Sequence, residues 1–217
     1  MAVVQLNGQS IRVGNVFCIG RNYAAHAAEL GNAVEAEPLV FLKPTSALAV
    51  EGEPIRLPAY SGDVHHECEL VLLIGKGGND IPESAALQHV AGYAIGLDMT
   101  ARDVQGIAKQ KGLPWTKAKG FRSAATVSAF VPAERLADPG HLEFTLQVNG
   151  ETRQRGETRL MLFSVPAIIH YLSTVYGLSE GDLIYTGTPE GVAAVKPGDR
   201  LRLDLQGWVS AEWSVVE

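Results

Sequence analysis

The segment His65-His66-Glu67-Cys68-Glu69 runs directly into Leu70-Val71-Leu72-Leu73-Ile74, and this junction constrains the chain more than any other feature. A continuous apolar run of this kind reads as a strand covered on both faces. Side chains alternate along a strand, so Glu67 and Glu69 project from one face. Two like charges at the mouth of a buried strand must either emerge into water or be neutralised, because burying them side by side is costly. A cation is the simplest neutralising partner. A third carboxylate, Asp98, follows a second apolar run, Val90 to Leu97, and precedes a predicted helix. Its ordinary role there is helix capping. At the end of a strand beside the glutamate strand, it instead completes an all-oxygen donor set, which favours Mg²⁺ or Mn²⁺, with Ca²⁺ as an alternative, over zinc. His65, His66 and Cys68 are softer donors, but alternation turns His66 and Cys68 from the glutamate face. No second Cys/His cluster stands at finger spacing.

Around these runs the chain reads as many short strands with few helices. Asn7-Gly8 predicts a hairpin joining Val3–Leu6 to Ser10–Val13, and Asn149-Gly150 a second after Leu142–Val148. Strands are expected over Val16–Gly20, Leu39–Leu42, Glu67–Ile74, Val90–Leu97 and Val127–Val131. Short helices are expected over Tyr23–Leu30, over Pro82–His89 with Ser84 as cap, and over Thr100–Lys111 with Gly112 as stop. Residues 46–66 read as loops and short strands. One amphipathic helix follows Ser164, with Val165, Ile168, Ile169, Leu172, Val175 and Tyr176 at helical spacing and Gly177 as stop. Gly181-Asp182 and Gly198-Asp199 are turns, each before a strand. With 217 residues and no linker, low-complexity run or repeat, the expectation is one α+β domain over residues 1–217, built on antiparallel or mixed sheet.

Further polar groups stand at suggestive spacings. Arg102 lies four residues after Asp98 and shares a helix face with Gln105. This pair is either an exposed polar contact or a planar fork for a substrate carboxylate. Lys119 is a second cation nearby, unremarkable by itself. His26 and Glu29 share one face of the Ala-rich helix, either as a surface pair or as an imidazole oriented to act as base. Thr186-Gly187-Thr188-Pro189-Glu190-Gly191 is a turn-rich loop whose Thr188 hydroxyl and backbone donors suit an anion.

Composition narrows the classes. Hydrophobic residues make up 46% and charged residues 19%, ordinary for a globular chain. The formal charge of -6, with no basic stripe, argues against nucleic acid and anionic membrane surfaces. The apolar runs are too short to span a bilayer. Two cysteines, Cys18 and Cys68, imply no disulfide framework, and the N-terminus lacks a basic region followed by an apolar core. A cytoplasmic location is the expectation.

Taken in order, Gly20-Arg21-Asn22-Tyr23 with His26 and Glu29, then His66-Glu67-Cys68-Glu69-Leu70, then Leu97 to Gln105, then Lys119-Gly120, then Thr186 to Val192 resemble the fumarylacetoacetate hydrolase family, in its small single-domain branch. The resemblance runs over essentially the whole chain. It implies a mixed β-roll and Mg²⁺ or Mn²⁺ held by Glu67, Glu69 and Asp98. It also implies a homodimer and a lid carrying His26 and Glu29 that orders over ligand. Arg102, Gln105, Lys119 and Thr188 then line the pocket, with Arg21 and Tyr23 close by. The expected reaction is hydrolysis of a C–C bond in a 2,4-dioxo acid, an acylpyruvate or fumarylpyruvate. Glu29 would orient His26 to activate water, and Lys119 would support the oxygen that gathers charge. The alternatives are an oxaloacetate decarboxylase or tautomerase, or an isomerase or decarboxylase of an aromatic-catabolic dienoate. Hydrolysis, decarboxylation and tautomerisation all share a metal-bound enolate of a 2-oxo acid, so one site could serve any of them. Hydrolysis is placed first because it alone requires an activated water. A rival of another class is a metal-stabilised binding protein without turnover. Substrate specificity is expected in loops 31–38 and 43–62.

Overall fold

In the computed structural model, which describes residues 2–29, 31, 36–136 and 138–217, every residue of the Cys68–Ile74 strand is buried. It runs antiparallel to Leu183–Tyr185 on one side and to Val90–Asp98 on the other. The sheet extends outward through Val16–Gly20 to Leu39–Lys43 at one edge, and through Ala125–Val127 to Leu48–Val50 at the other. Two of its pairings are parallel, which makes it mixed. A five-stranded sheet carries Glu143–Val148, Arg200–Leu205 and Val209–Val216 at its centre, and Val64–His66 anchors a three-stranded one. Mixed sheets curled into a half-barrel with a few short helices are the β-roll expected from the sequence.

Both faces of the Cys68–Ile74 strand are covered, as its composition requires. Leu70, Leu72 and Ile74 pack with Ile95, Leu97, Phe144, Leu203 and Trp213 on one side. Val71 and Leu73 pack with Val16, Cys18, Ala94 and Tyr185 on the other. Each fully buried Leu or Ile is worth about 1.5–3 kcal/mol over exposure, so this strand is among the best-anchored elements of the chain. The hairpin turns form with the expected left-handed residues, Asn7 at φ 50° with Gly8 at 73°, and Asn149 at 53° with Gly150 at 85°. The amphipathic helix spans Val165–Val175, and the Ser164 hydroxyl accepts from Ala167 N–H.

Several boundaries differ from the sequence reading, each for a local reason. Glu67 is not in a strand: the chain leaves Val64–His66, which pairs with Thr100–Ala101 and Ala193–Ala194, and enters Cys68–Ile74 in the larger sheet. The Glu67 carbonyl accepts from Asp98 N–H at 2.8 Å across this change of sheet. Thr100 and Ala101 are therefore a strand, and the helix begins at Arg102. The expected Val127–Val131 strand is two short pieces, Ala125–Val127 and Val131–Pro132. Between them Ser128 holds Ile95 with both its backbone and its hydroxyl, interrupting the ladder. Residues Glu83–His89 form a 3-10 helix entered from Pro82, with no Ser84 cap. The helix expected over Tyr23–Leu30 spans Ala24–Glu29, because Tyr23 is bridged to Met161. Leu30, and residues 32–35 of the expected specificity loop, lie outside the described residues.

Gly96 sits opposite Glu69 in the paired strands. A Cβ there would lie 2.2 Å from the Thr126 carbonyl oxygen. Backbone in the middle of a sheet cannot retreat, so Gly96→Ala is expected to destabilise by about 1–3 kcal/mol or more. A fall in the thermal midpoint checks this, and an unchanged midpoint would contradict it.

Candidate active site

Glu69 and Asp98 lie on neighbouring antiparallel strands, and Glu67 lies at the point where its chain changes sheet. One oxygen from each of the three falls within 4.8 Å of the others. All three are buried, with Glu69 and Asp98 each 1% exposed. Asp98 caps no helix, since the following helix is entered from Ala101.

The cations are unevenly shared. Lys119 donates at 2.7 Å to Glu67 Oε2 and at 2.7 Å to Asp98 Oδ2. Arg102 donates to Glu67 Oε1 at 2.5 Å and to Gln105 Oε1 at 2.8 Å. Lys43 Nζ stands 2.6 Å from Asp98 Oδ1 as an ion pair, without hydrogen-bond alignment. It also donates to the Met99 and Lys119 carbonyls. Glu69 accepts from Gly187 N–H at 2.8 Å, and no cation of the described residues pairs with it. Burial opposes ionisation of Glu67, but Lys119 and Arg102 outweigh it and hold that carboxyl below its ordinary range. Burial, then Asp98 and Glu67, push Glu69 well above its own. Burial also works against the Lys119 ammonium, yet Asp98 and Glu67 prevail and raise its pKa. A buried all-carboxylate set whose central member is held back by two like charges has the chemistry of a hard divalent-cation site, and the residues fit one.

His26, 5% exposed, lines the cleft together with the three carboxylates, Arg21, Arg102, Gln105, Lys119 and Thr188. Its Nδ1 is 3.4 Å from Glu29 Oε2. The Glu29 carboxylate in turn accepts from Gly191 N–H at 3.1 and 3.3 Å. The short helix is thus tied to the threonine loop. Burial lowers the His26 pKa below 6.5. The neutral imidazole is the form able to take a proton, and it is lost as pH falls through that lowered pKa. The acid limb of kcat/KM is therefore expected below pH 6.5. A limb at or above that value would contradict the expectation that His26 acts as a base.

Tyr23 and Thr188 differ in their relation to the cleft. Tyr23 is buried beneath the site and does not line the cleft. Among the described residues its hydroxyl has no hydrogen-bond partner, and burial followed by Glu69 pushes its pKa up. Thr188 does line the cleft, but its hydroxyl donates to the Cys68 carbonyl and accepts from Gln154, both at 2.8 Å. Gln154 is a polar residue missed in the sequence. It also accepts from Cys68 N–H at 3.0 Å and contacts His66 Nδ1 at 3.1 Å, fastening the threonine loop to the glutamate segment. Its signal is a Gln at the inward position of an alternating strand. Lys43 carries no such signal, because a Lys ending an apolar strand ordinarily reaches for solvent. Among the described residues the only cluster fit for a metal is Glu67, Glu69 and Asp98, so the His/Cys zinc alternative has no support in the fold.

Fold and site together are those of an enzyme family, and comparison with known proteins agrees: the profile of the fumarylacetoacetate (FAA) hydrolase C-terminal family matches residues 15–216. The chain belongs to the fumarylacetoacetate hydrolase family. Within it, the chain is 54% identical to the mitochondrial oxaloacetate tautomerase FAHD1 of Rattus norvegicus, over 93% of this chain and 91% of that protein. It is 47% identical to the mitochondrial oxaloacetate decarboxylase of Dictyostelium discoideum, over 88% of each. A crystal structure of fumarylpyruvate hydrolase from Pseudomonas aeruginosa with Mn²⁺ and pyruvate superposes with a TM-score of 0.94 at 42% identity, covering 99% of this chain and 95% of that one. No helix among the described residues is long and apolar enough to cross a membrane.

Proposed function

We propose that this protein is a divalent-metal-dependent enzyme that interconverts the enol and keto forms of oxaloacetate, with decarboxylation of the same acid as a second outcome. The observation that carries this reading is the 54% identity to an oxaloacetate tautomerase across 93% of the chain. Glu67, Glu69 and Asp98 would hold Mg²⁺ or Mn²⁺, with Ca²⁺ as the alternative. Bound there, the cation supplies Lewis-acid stabilisation of the negative charge that builds on a 2-oxo acid. Lys119, kept charged by Asp98 and Glu67, adds a donor for the C2 oxygen. Arg102 and Gln105 offer their common helix face to the C1 carboxylate. His26, neutral and oriented by Glu29, takes the proton from C3. A single domain over residues 1–217, a homodimer and an aqueous, cytoplasmic-type compartment complete the proposal.

Hydrolysis of a 2,4-dioxo acid is the second reading, favoured by the likeness to the fumarylpyruvate hydrolase. The His26–Glu29 pair does not rank the two, because abstraction of a C3 proton needs a base as much as activation of water does. Stripping the protein with a chelator is expected to abolish oxaloacetate turnover, and Mg²⁺ or Mn²⁺ to restore it. Full activity after stripping would overturn the metal-dependent reading.

A further inference from the structure

The helix Arg102–Lys111 turns a third polar residue toward the cleft. Arg102, Gln105 and Lys109 follow at spacings of three and four, share one face and line the same opening. Arg102 is occupied by Glu67 and Gln105, and Lys119 by Glu67 and Asp98. Lys109 is exposed, and no carboxylate of the described residues pairs with it. Its ammonium stands 5.4 Å from the ring centroid of Trp115, a second cleft residue, which guides it without neutralising it. The surrounding wall, then Arg21, Arg102 and Lys119, press its pKa below the ordinary lysine range, even though the residue as a whole is exposed.

We propose that Lys109 receives the second carboxylate of a dicarboxylic 2-oxo acid, selecting it over monocarboxylic ones and protecting its C3–C4 bond. The assignment rests on the oxaloacetate reading above. In decarboxylation the C3–C4 electron pair moves into C2–C3, C4 leaves as neutral CO₂, and a proton then adds to C3 to give pyruvate. The carboxylate charge disappears along that path, so a cation on it stabilises the starting state and raises the barrier. In tautomerisation the C3–H bond breaks instead, the proton passes by way of a base to the C2 oxygen, and C4 keeps its charge throughout. A lysine at C4 therefore slows CO₂ loss while leaving proton transfer available.

The test compares metal-loaded wild type with Lys109→Met and Lys109→Arg. Enol consumption and pyruvate release are followed from oxaloacetate, and the affinities for oxaloacetate and for pyruvate are measured by titration. Lys109→Met is expected to raise the KM for oxaloacetate about tenfold or more, the size of one lost charged hydrogen bond. It is also expected to increase pyruvate release relative to tautomerisation and to leave pyruvate affinity unchanged, and Lys109→Arg is expected to restore both. Equal weakening of oxaloacetate and pyruvate, or no change in KM and product ratio, would overturn the assignment. A wild type that turns over no oxaloacetate overturns the functional reading alone; Lys109 is then judged by whether the Met variant loses oxaloacetate affinity relative to pyruvate.

Discussion

Glu69→Gln is expected to weaken Mn²⁺ binding by well over ~100-fold and to remove turnover of any 2-oxo acid with it. Loss of a residue that merely orients a ligand lowers affinity about 10–100-fold, and Glu69 is expected to be a ligand itself. Glu67 and Asp98 each have a lysine or arginine at hydrogen-bond distance, whereas among the described residues Glu69 has only the Gly187 N–H. The substitution keeps shape and the acceptor for Gly187, and it removes an ionisable group that burial and two like charges already disfavour. The metal-free variant should consequently melt no lower than the metal-free wild type. The diagnostic readout is the rise in melting temperature with added Mn²⁺, since a ligand that binds only the folded state stabilises it. That rise is expected in wild type and absent in Glu69→Gln. An equal rise in both would place the metal elsewhere.

His26→Ala is expected to lower enol–keto interconversion about 10²–10⁴-fold, the usual weight of a positioned general base, while Mn²⁺ affinity stays unchanged. Pyruvate release by decarboxylation is expected to survive, because breaking the C3–C4 bond needs no proton removed first. Glu29 should show a weaker version of the same effect, since it acts only by holding the imidazole and is itself tied to Gly191. Equal loss of both reactions in His26→Ala would mean that the helix Ala24–Glu29 shapes the cleft rather than supplying a base.

Much of this was legible in the chain because it depends on local pattern. The continuous run from Leu70 to Ile74 reads as a strand buried on two faces, and the Asn-Gly pairs and the 3.6-residue repeat after Ser164 signal a hairpin or helix through neighbours alone. The carboxylates were legible because acidic residues at the mouth of such a run demand an explanation. What escaped depends on contacts far apart in sequence. Lys43 meets Asp98 and Lys119 only once the edge strand has packed. Gln154 reaches Cys68 and Thr188 across 86 and 34 residues. Strict alternation brought Glu67 and Glu69 to one face, yet Glu67 joins the cluster because the chain changes sheets there, which no periodicity signals. The Thr188 hydroxyl shows another limit of the sequence: a turn-rich loop marks it as a donor, but its bond to the Cys68 carbonyl, 120 residues away, is visible only in the fold.

The most direct test of the central claim is a single comparison on the metal-loaded protein: kcat/KM for consumption of enol-oxaloacetate against kcat/KM for pyruvate release from a 2,4-dioxo acid such as acetylpyruvate. The account predicts that the enol reaction is the faster, depends on Mg²⁺ or Mn²⁺, and collapses in His26→Ala. Rapid pyruvate release from the dioxo acid, with enol-oxaloacetate converting no faster than in buffer, would contradict it and make the protein a hydrolase.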